Sequence, residues 1–202
     1  MTTFLLIGLG NPGKKYAGNR HNIGFMAIER MAQDYRFSSF SRKFGGAIAE
    51  GKIGDHKIFA FMPLGYMNTS GGPAQEAANF YKIPPEHMIV IHDELDLPLG
   101  KLRVKKGGGH GGHNGLRSLD ECVGKDYWRI RFGIAHPGDK DMVSDYVLSD
   151  FAKSEREPTE KMIEAISKHI ALLLDGDDAK FMSKVALSTT PPEPPKKTVI
   201  DQ

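Results

Sequence analysis

The sequence predicts an α/β fold: a single domain with a mixed, mostly parallel twisted sheet flanked by helices on both faces. Three observations carry this expectation. Short apolar runs of strand length alternate with segments whose apolar residues recur every three to four positions. One hairpin is interposed, with its turn at Gly54-Asp55. The segments that follow strands are the richest in Gly, Asn and His, as expected where ligands collect at the carboxyl ends of parallel strands.

Residues 4–9 form a continuous apolar run, the mark of a strand buried on both faces, and Gly10-Asn11-Pro12-Gly13 breaks it. Asn22 can cap a helix that carries Phe25, Ile28, Met31, Ala32 and Tyr35 on one face. Residues 47–53 and 57–62 are the two strands of the hairpin. Ser70 or Gly71-Gly72 leads into a helix with Pro73 in its first turn, running to about Tyr81. An apolar strand over 88–91 ends in His92-Asp93-Glu94, and a strand over 101–106 puts Leu102 and Val104 on one face. Asn114 can cap a helix through Leu116, Leu119 and Val123, followed by a strand over 128–135. Pro158 or Thr159 opens a long helix with Ile163, Ile166, Ile170 and Leu173 on its buried stripe, ended by Gly176; a shorter helix covers 179–187. From Ser188 the chain becomes too polar and proline-rich to pack. One domain over 1–187 and a flexible tail over 188–202 are expected.

Composition narrows the function classes. Of 202 residues, 40% are hydrophobic and 26% charged, which suits a globular protein with a real core. No apolar run approaches the ~18 residues of a membrane-spanning helix. The first residues lack a basic region and meet Gly8 and Gly10 early, so they predict a strand and not a signal peptide. The single cysteine, Cys122, permits no intrachain disulfide and points to a reducing cytoplasm. Its neighbours Asp120 and Glu121 would raise the thiol pKa, which favours a structural role. Net charge is only +2, yet Lys101, Arg103, Lys105 and Lys106 form a strip without an acid up to Gly115. Such a strip can meet phosphates.

Two motifs invite functional readings that their context weakens. Gly8-Leu9-Gly10-Asn11-Pro12-Gly13 matches the dinucleotide fingerprint after a strand. That mechanism needs a helix to open at once, whereas residues 14–21 hold another Gly and no apolar period. His110-x-x-His113 has a zinc-like spacing, but a glycine-rich loop gives it no fixed face.

Four loops taken together say more. They carry Asn11 with Arg20-His21, Met67-Asn68-Thr69-Ser70-Gly71, His92-Asp93-Glu94-Leu95-Asp96, and the glycine-rich stretch 107–115 with His110, His113 and Asn114. A neutral imidazole can take a proton from water, a carboxylate can fix its tautomer, and amides can bind carbonyls and a developing oxyanion. That is the equipment of water-mediated acyl transfer. No Gly-x-Ser-x-Gly elbow offers a serine nucleophile.

In order and spacing over about residues 4–187, these motifs, with Tyr16 and Asn22, resemble the bacterial-type peptidyl-tRNA hydrolase family. The resemblance implies a single α/β domain that needs no metal or cofactor. It implies cleavage of the ester joining a peptide to the 3′ ribose of tRNA, by a cytoplasmic monomer acting on the 3′ end and acceptor stem of peptidyl-tRNA. It implies His21 as the base on water, Asp93 as its orienting partner, and Asn11 as the residue that inspects the peptide part. Asn68 and Asn114 would bond substrate near the ester, with a helix-cap role also open to Asn114. Tyr16 and Tyr66 would contact the tRNA end, Met67 would line the pocket, and His113 would shape the site. Arg103, Lys105 and Arg131 match basic positions facing the acceptor stem. One departure stands out: the family usually has Thr where this chain has Gly65. Two rival expectations are a nicotinamide- or flavin-binding enzyme, from the first glycine motif, and a non-catalytic RNA-binding module, from the basic strip.

Overall fold

The computed structural model describes residues 1–190. In chain order the elements are β1 (Thr3–Gly8), α1 (Ile23–Asp34), β2 (Ser41–Lys43), β3 (Gly46–Ile53), β4 (His56–Pro63), α2 (Gly71–Tyr81), β5 (Met88–Glu94), β6 (Leu102–Lys106), α3 (Asn114–Val123), β7 (Trp128–Gly133), α4 (Val143–Val147), α5 (Lys153–Leu174) and α6 (Asp178–Thr189). The seven strands form one sheet in the order β2-β3-β4-β1-β5-β7-β6.

Parallel pairing joins the four central strands β4, β1, β5 and β7, and antiparallel pairing holds the edges. The expectation of a mostly parallel sheet therefore holds at the centre and not at the edges. The reason is connection length. The turn at Gly54-Asp55 forces β3 and β4 into a hairpin. Residues 95–101 are too few for a crossover helix, so β6 returns antiparallel against β7.

Strand parity assigns the two faces. Leu6, Ile89, Ile91, Ile130 and Phe132 point toward Ile28 and Met31 of α1 and Ile166 and Ile170 of α5. Leu5, Ile7, Phe61 and Val90 point toward Ala74 and Ala77 of α2 and Leu116 and Leu119 of α3. Each such aliphatic side chain, when fully buried, contributes roughly 1.5–3 kcal/mol by desolvation. Helix α1 lies very close to the sheet. A Cβ on Gly24 would strike the Leu9 nitrogen and the Ile91 carbonyl, and one on Gly8 would strike the Gly24 carbonyl. The turn before α1 is thereby held at the carboxyl ends of β1 and β5.

Several local expectations change. His113, not Asn114, caps α3: its ring nitrogen accepts from the Gly115 and Leu116 amides. Helix α5 begins at Lys153, with Pro158 inside it. The proline sits early enough to remove one helical hydrogen bond without ending the helix, and Glu155 ties the start by accepting from the Ala152 amide. Helix α6 runs to Thr189, past the expected helix end at 187, and the stretch 191–202, which holds most of the expected tail, lies outside the described residues. Strand β2, helix α4 and the single turns were not expected. Among the described residues, no helix is long and apolar enough to cross a membrane.

Candidate active site

His21 sits in the single turn Arg20–Asn22 directly before α1, and Asp93 is the penultimate residue of β5. The close packing of α1 brings the two together. His21 Nδ1 lies 2.9 Å from each carboxylate oxygen of Asp93. A second imidazole meets the same group: His113 Nε2 is 2.9 Å from Asp93 Oδ1.

Hydrogen bonding sets the protons. His113 Nδ1 accepts from the Gly115 and Leu116 amides, so its proton is on Nε2 and is donated to Asp93. An ionised Asp93 can only accept, so His21 donates from Nδ1. The lone pair of His21 is then on Nε2, the free nitrogen of a ring that lines an open cleft of about 620 Å³. Burial raises the Asp93 pKa, but the charges and hydrogen bonds of His21 and His113 outweigh it and hold the carboxyl well below its usual range. Burial depresses His21, and the Asp93 charge and hydrogen bond lift it above its ordinary value. The three donor atoms lie within 4.8 Å of one another, a spacing a small cation could use. Both rings, however, turn N–H groups and not lone pairs toward the carboxylate.

Asn11 is fixed from two sides. Its backbone exchanges paired 2.9 Å hydrogen bonds with the Asn22 amide. Its own Oδ1 accepts from the Met67 amide at 2.8 Å. With the oxygen occupied, Nδ2 remains a donor on the cleft wall. His92, also on the cleft wall, donates to the Asp93 carbonyl at 2.7 Å, and burial lowers its pKa to about 3, so it stays neutral. Its Nε2 is buried without a partner among the described residues.

The glycine-rich loop takes positive φ at Gly107, Gly108, Gly111 and Gly112, which a side chain would resist. Its base is anchored. Buried Arg129 donates to the Gly109 carbonyl at 2.6 Å and the Gly108 carbonyl at 2.8 Å, and pairs with Asp120 at 3.0 Å. Residues 110–114 line the cleft, while the anchored glycines 107–109 do not.

The model of the peptidyl-tRNA hydrolase family matches residues 5–193. This chain belongs to the peptidyl-tRNA hydrolase family. Among curated relatives, the peptidyl-tRNA hydrolase of Rhodospirillum centenum is 53% identical over 189 residues, covering 94% of this chain and 83% of the relative. That of Rhodopseudomonas palustris is 54% identical over 184 residues, covering 91% and 92%. The crystal structure of peptidyl-tRNA hydrolase from Acinetobacter baumannii superposes with a TM-score of 0.86 at 38% identity, covering 91% of this chain and 94% of that one. The enzyme class expected from the sequence is thus that of the family.

Around the cleft the structure brings together Asn11, His21, Tyr66, Met67, Asn68, Asp93, His113 and Asn114. Tyr66 is 64% exposed, while Met67 is buried. Tyr16, under the Lys15 ammonium at 4.6 Å, is not among the lining residues. Arg103, Lys105 and Arg131 are not either. Arg131 is engaged by Glu94 at 2.9 Å, which ties up its charge. At Gly65 a Cβ would fall on Thr69 Oγ1, which donates to the Tyr66 carbonyl at 2.9 Å. Thr69 supplies a hydroxyl to the loop where residue 65 has none.

The first glycine motif is used for packing. After Gly13 only short turns precede α1, and a Cβ on Gly10 would strike the Phe25 ring. The His110-x-x-His113 pair is split, because His110 accepts from the Gly112 amide while His113 turns to Asp93. Sequence reasoning missed Arg129 as a buried anchor and the roles of Arg20 and Asn22 as scaffolding. Buried cations and amides look like solvent-facing ones until their distant partners are known.

Proposed function

We propose that this chain hydrolyses the ester between the peptide and the 3′ ribose of peptidyl-tRNA, with His21 as general base. His21 Nε2 removes a proton from water, and the hydroxide oxygen attacks the ester carbonyl carbon. Asp93 holds the ring by Nδ1 and stabilises the imidazolium that forms. The amides of Asn68 and Asn114 line the same cleft and are available to the developing oxyanion. The bond from carbon to the ribose oxygen then breaks, and His21 returns its proton to that oxygen. Free peptide and tRNA leave.

Asn11 accounts for selectivity. Its Nδ2 donor suits the carbonyl that a blocked amino group carries. It repels the ammonium of an unblocked aminoacyl-tRNA, which also lacks that carbonyl. Arg103 and Lys105 on β6, with Tyr66 at the rim, would hold the RNA. The enzyme would act as a cytoplasmic monomer, without metal or cofactor.

The observation that carries this reading is the ring of His21, fixed by Asp93 through one nitrogen and lining an open cleft with the other one free. Incubation with N-acetyl-aminoacyl-tRNA and with its unblocked counterpart tests it. Rapid cleavage of the blocked substrate alone is expected. Equal cleavage of both, or of neither, would contradict it.

A further inference from the structure

We infer that Arg20 is a positioning residue that sets the width of the cleft by tying its outer wall to the turn that carries His21. The inference rests on the proposed hydrolysis and concerns how that site holds its substrate.

The cleft has two sides. The sheet side carries His21 and Asp93, and the outer side is the α4 segment, with Val143, Ser144, Val147 and Leu148. Helix α4 has five residues, and residues 148–152 join it to α5. A wall this short needs an anchor. Buried Arg20 supplies it. Its Nη1 donates to Ser149 Oγ at 2.6 Å and the Asp150 carbonyl at 2.9 Å, and more weakly to the Tyr146 and Ser149 carbonyls at 3.3 Å. Its Nη2 donates to Glu155 Oε2 at 2.6 Å. The guanidinium carbon lies 4.2 Å from the centroid of the Tyr146 ring. The Arg20 amide also bonds the Ser149 carbonyl at 3.0 Å, and Asn19 bonds Asp150 at 2.7 Å.

One side chain thus joins the end of α4, the linker and the first turn of α5 to the residue before His21. A planar guanidinium is suited to this, because its fork meets several fixed acceptors at once, which an ammonium cannot do. Glu155 is the other half of the device. The same Oε2 that pairs with Arg20 also accepts from the Ala152 amide at 2.7 Å, so the ion pair and the start of α5 share one atom.

His21 does not depend on this clamp for its chemistry. Its tautomer is set by Asp93, and its backbone by α1 packing on the sheet. Loosening Arg20 should therefore shift the outer wall and weaken substrate binding while leaving proton transfer intact.

The test compares Arg20→Lys and Glu155→Gln with the unaltered full chain, using N-acetyl-aminoacyl-tRNA across a pH series. Glu155→Gln keeps an acceptor for the Ala152 amide and removes only the charge partner, so it decides the matter if Arg20→Lys does not fold. Loss of one charged hydrogen bond predicts a KM raised about tenfold, kcat within about threefold, and an unchanged acid-limb midpoint. Faster amide exchange over 143–152 should accompany it. A KM within about twofold of the unaltered chain overturns the inference, as does a fall in kcat at constant KM or a displaced midpoint. Absence of hydrolysis by the unaltered chain would instead defeat the proposed function.

Discussion

Asp93 receives His21 Nδ1 at 2.9 Å through both of its oxygens and still accepts His113 Nε2 at 2.9 Å through one of them. One buried carboxylate therefore fixes the tautomers of two imidazoles from opposite faces of the sheet. His21 comes from the turn before α1, and His113 from the cap of α3. The pair of rings stands 4.8 Å apart, centroid to centroid.

The first prediction concerns pH. The base form of His21 is neutral, so kcat/KM should rise as pH passes upward through its pKa. Burial lowers that pKa and Asp93 raises it more, leaving it above the ordinary value. Asp93→Asn removes the raising effects and leaves burial, so the acid-limb midpoint should move to lower pH. The plateau rate should fall as well, since the asparagine no longer enforces the tautomer, but by less than in His21→Ala. A pH–rate profile of the variant checks both.

The second concerns Asn22, which touches no part of the cleft yet holds the Asn11 backbone by two hydrogen bonds. Asn22→Ala leaves a buried amide and carbonyl unpaired, at a cost of about 1–3 kcal/mol each at most. Denaturant unfolding should show lower stability. Turnover of blocked substrate should fall, and discrimination against unblocked aminoacyl-tRNA should narrow, because Nδ2 of Asn11 loses its fixed direction.

The third concerns Gly65 and Thr69 in the loop before α2. Gly65→Ala should destabilise by about 1–3 kcal/mol, the usual range for overpacking, because the new methyl meets Thr69 Oγ1. Thr69→Ala removes that obstacle. The two substitutions together should cost less than their sum, and a double-mutant cycle from unfolding curves measures the difference.

The fourth concerns RNA affinity. Arg103 and Lys105 are exposed on β6 and free of carboxylate partners at salt-bridge distance among the described residues, whereas Arg131 is paired with Glu94. Lys105→Ala should reduce the slope of log K against log salt by about one unit. Arg131→Ala should change it less. Binding titrations with tRNA at several salt concentrations separate the two.

The central strands and the four loops were legible because their signals are local. An apolar run such as 4–9 announces a strand, and Gly, Asn and His announce a loop that carries chemistry. Strand direction at the edges was not legible in the residues themselves, since β6 has the same alternation whichever way it runs. The cap of α3 fell to His113 over Asn114 because either polar neighbour can cap, and only the pull of Asp93 on Nε2 frees Nδ1 for the task. Pro158 or Thr159 reads as a helix start in the sequence, but tertiary contacts and the Glu155 cap open the helix at Lys153. The anchoring roles of Arg20 and Arg129 were not legible for one reason: a cation's burial is decided by partners elsewhere in the chain. Glu155 is 135 positions from Arg20.

The account depends most on the free nitrogen of His21. Single-turnover hydrolysis of N-acetyl-aminoacyl-tRNA by His21→Ala, with folding verified by its thermal transition, measures this directly. A general base contributes about 10²–10⁴-fold, so the variant should lose at least about two decades in rate while still binding tRNA. A folded variant that cleaves at near the original rate would contradict the account.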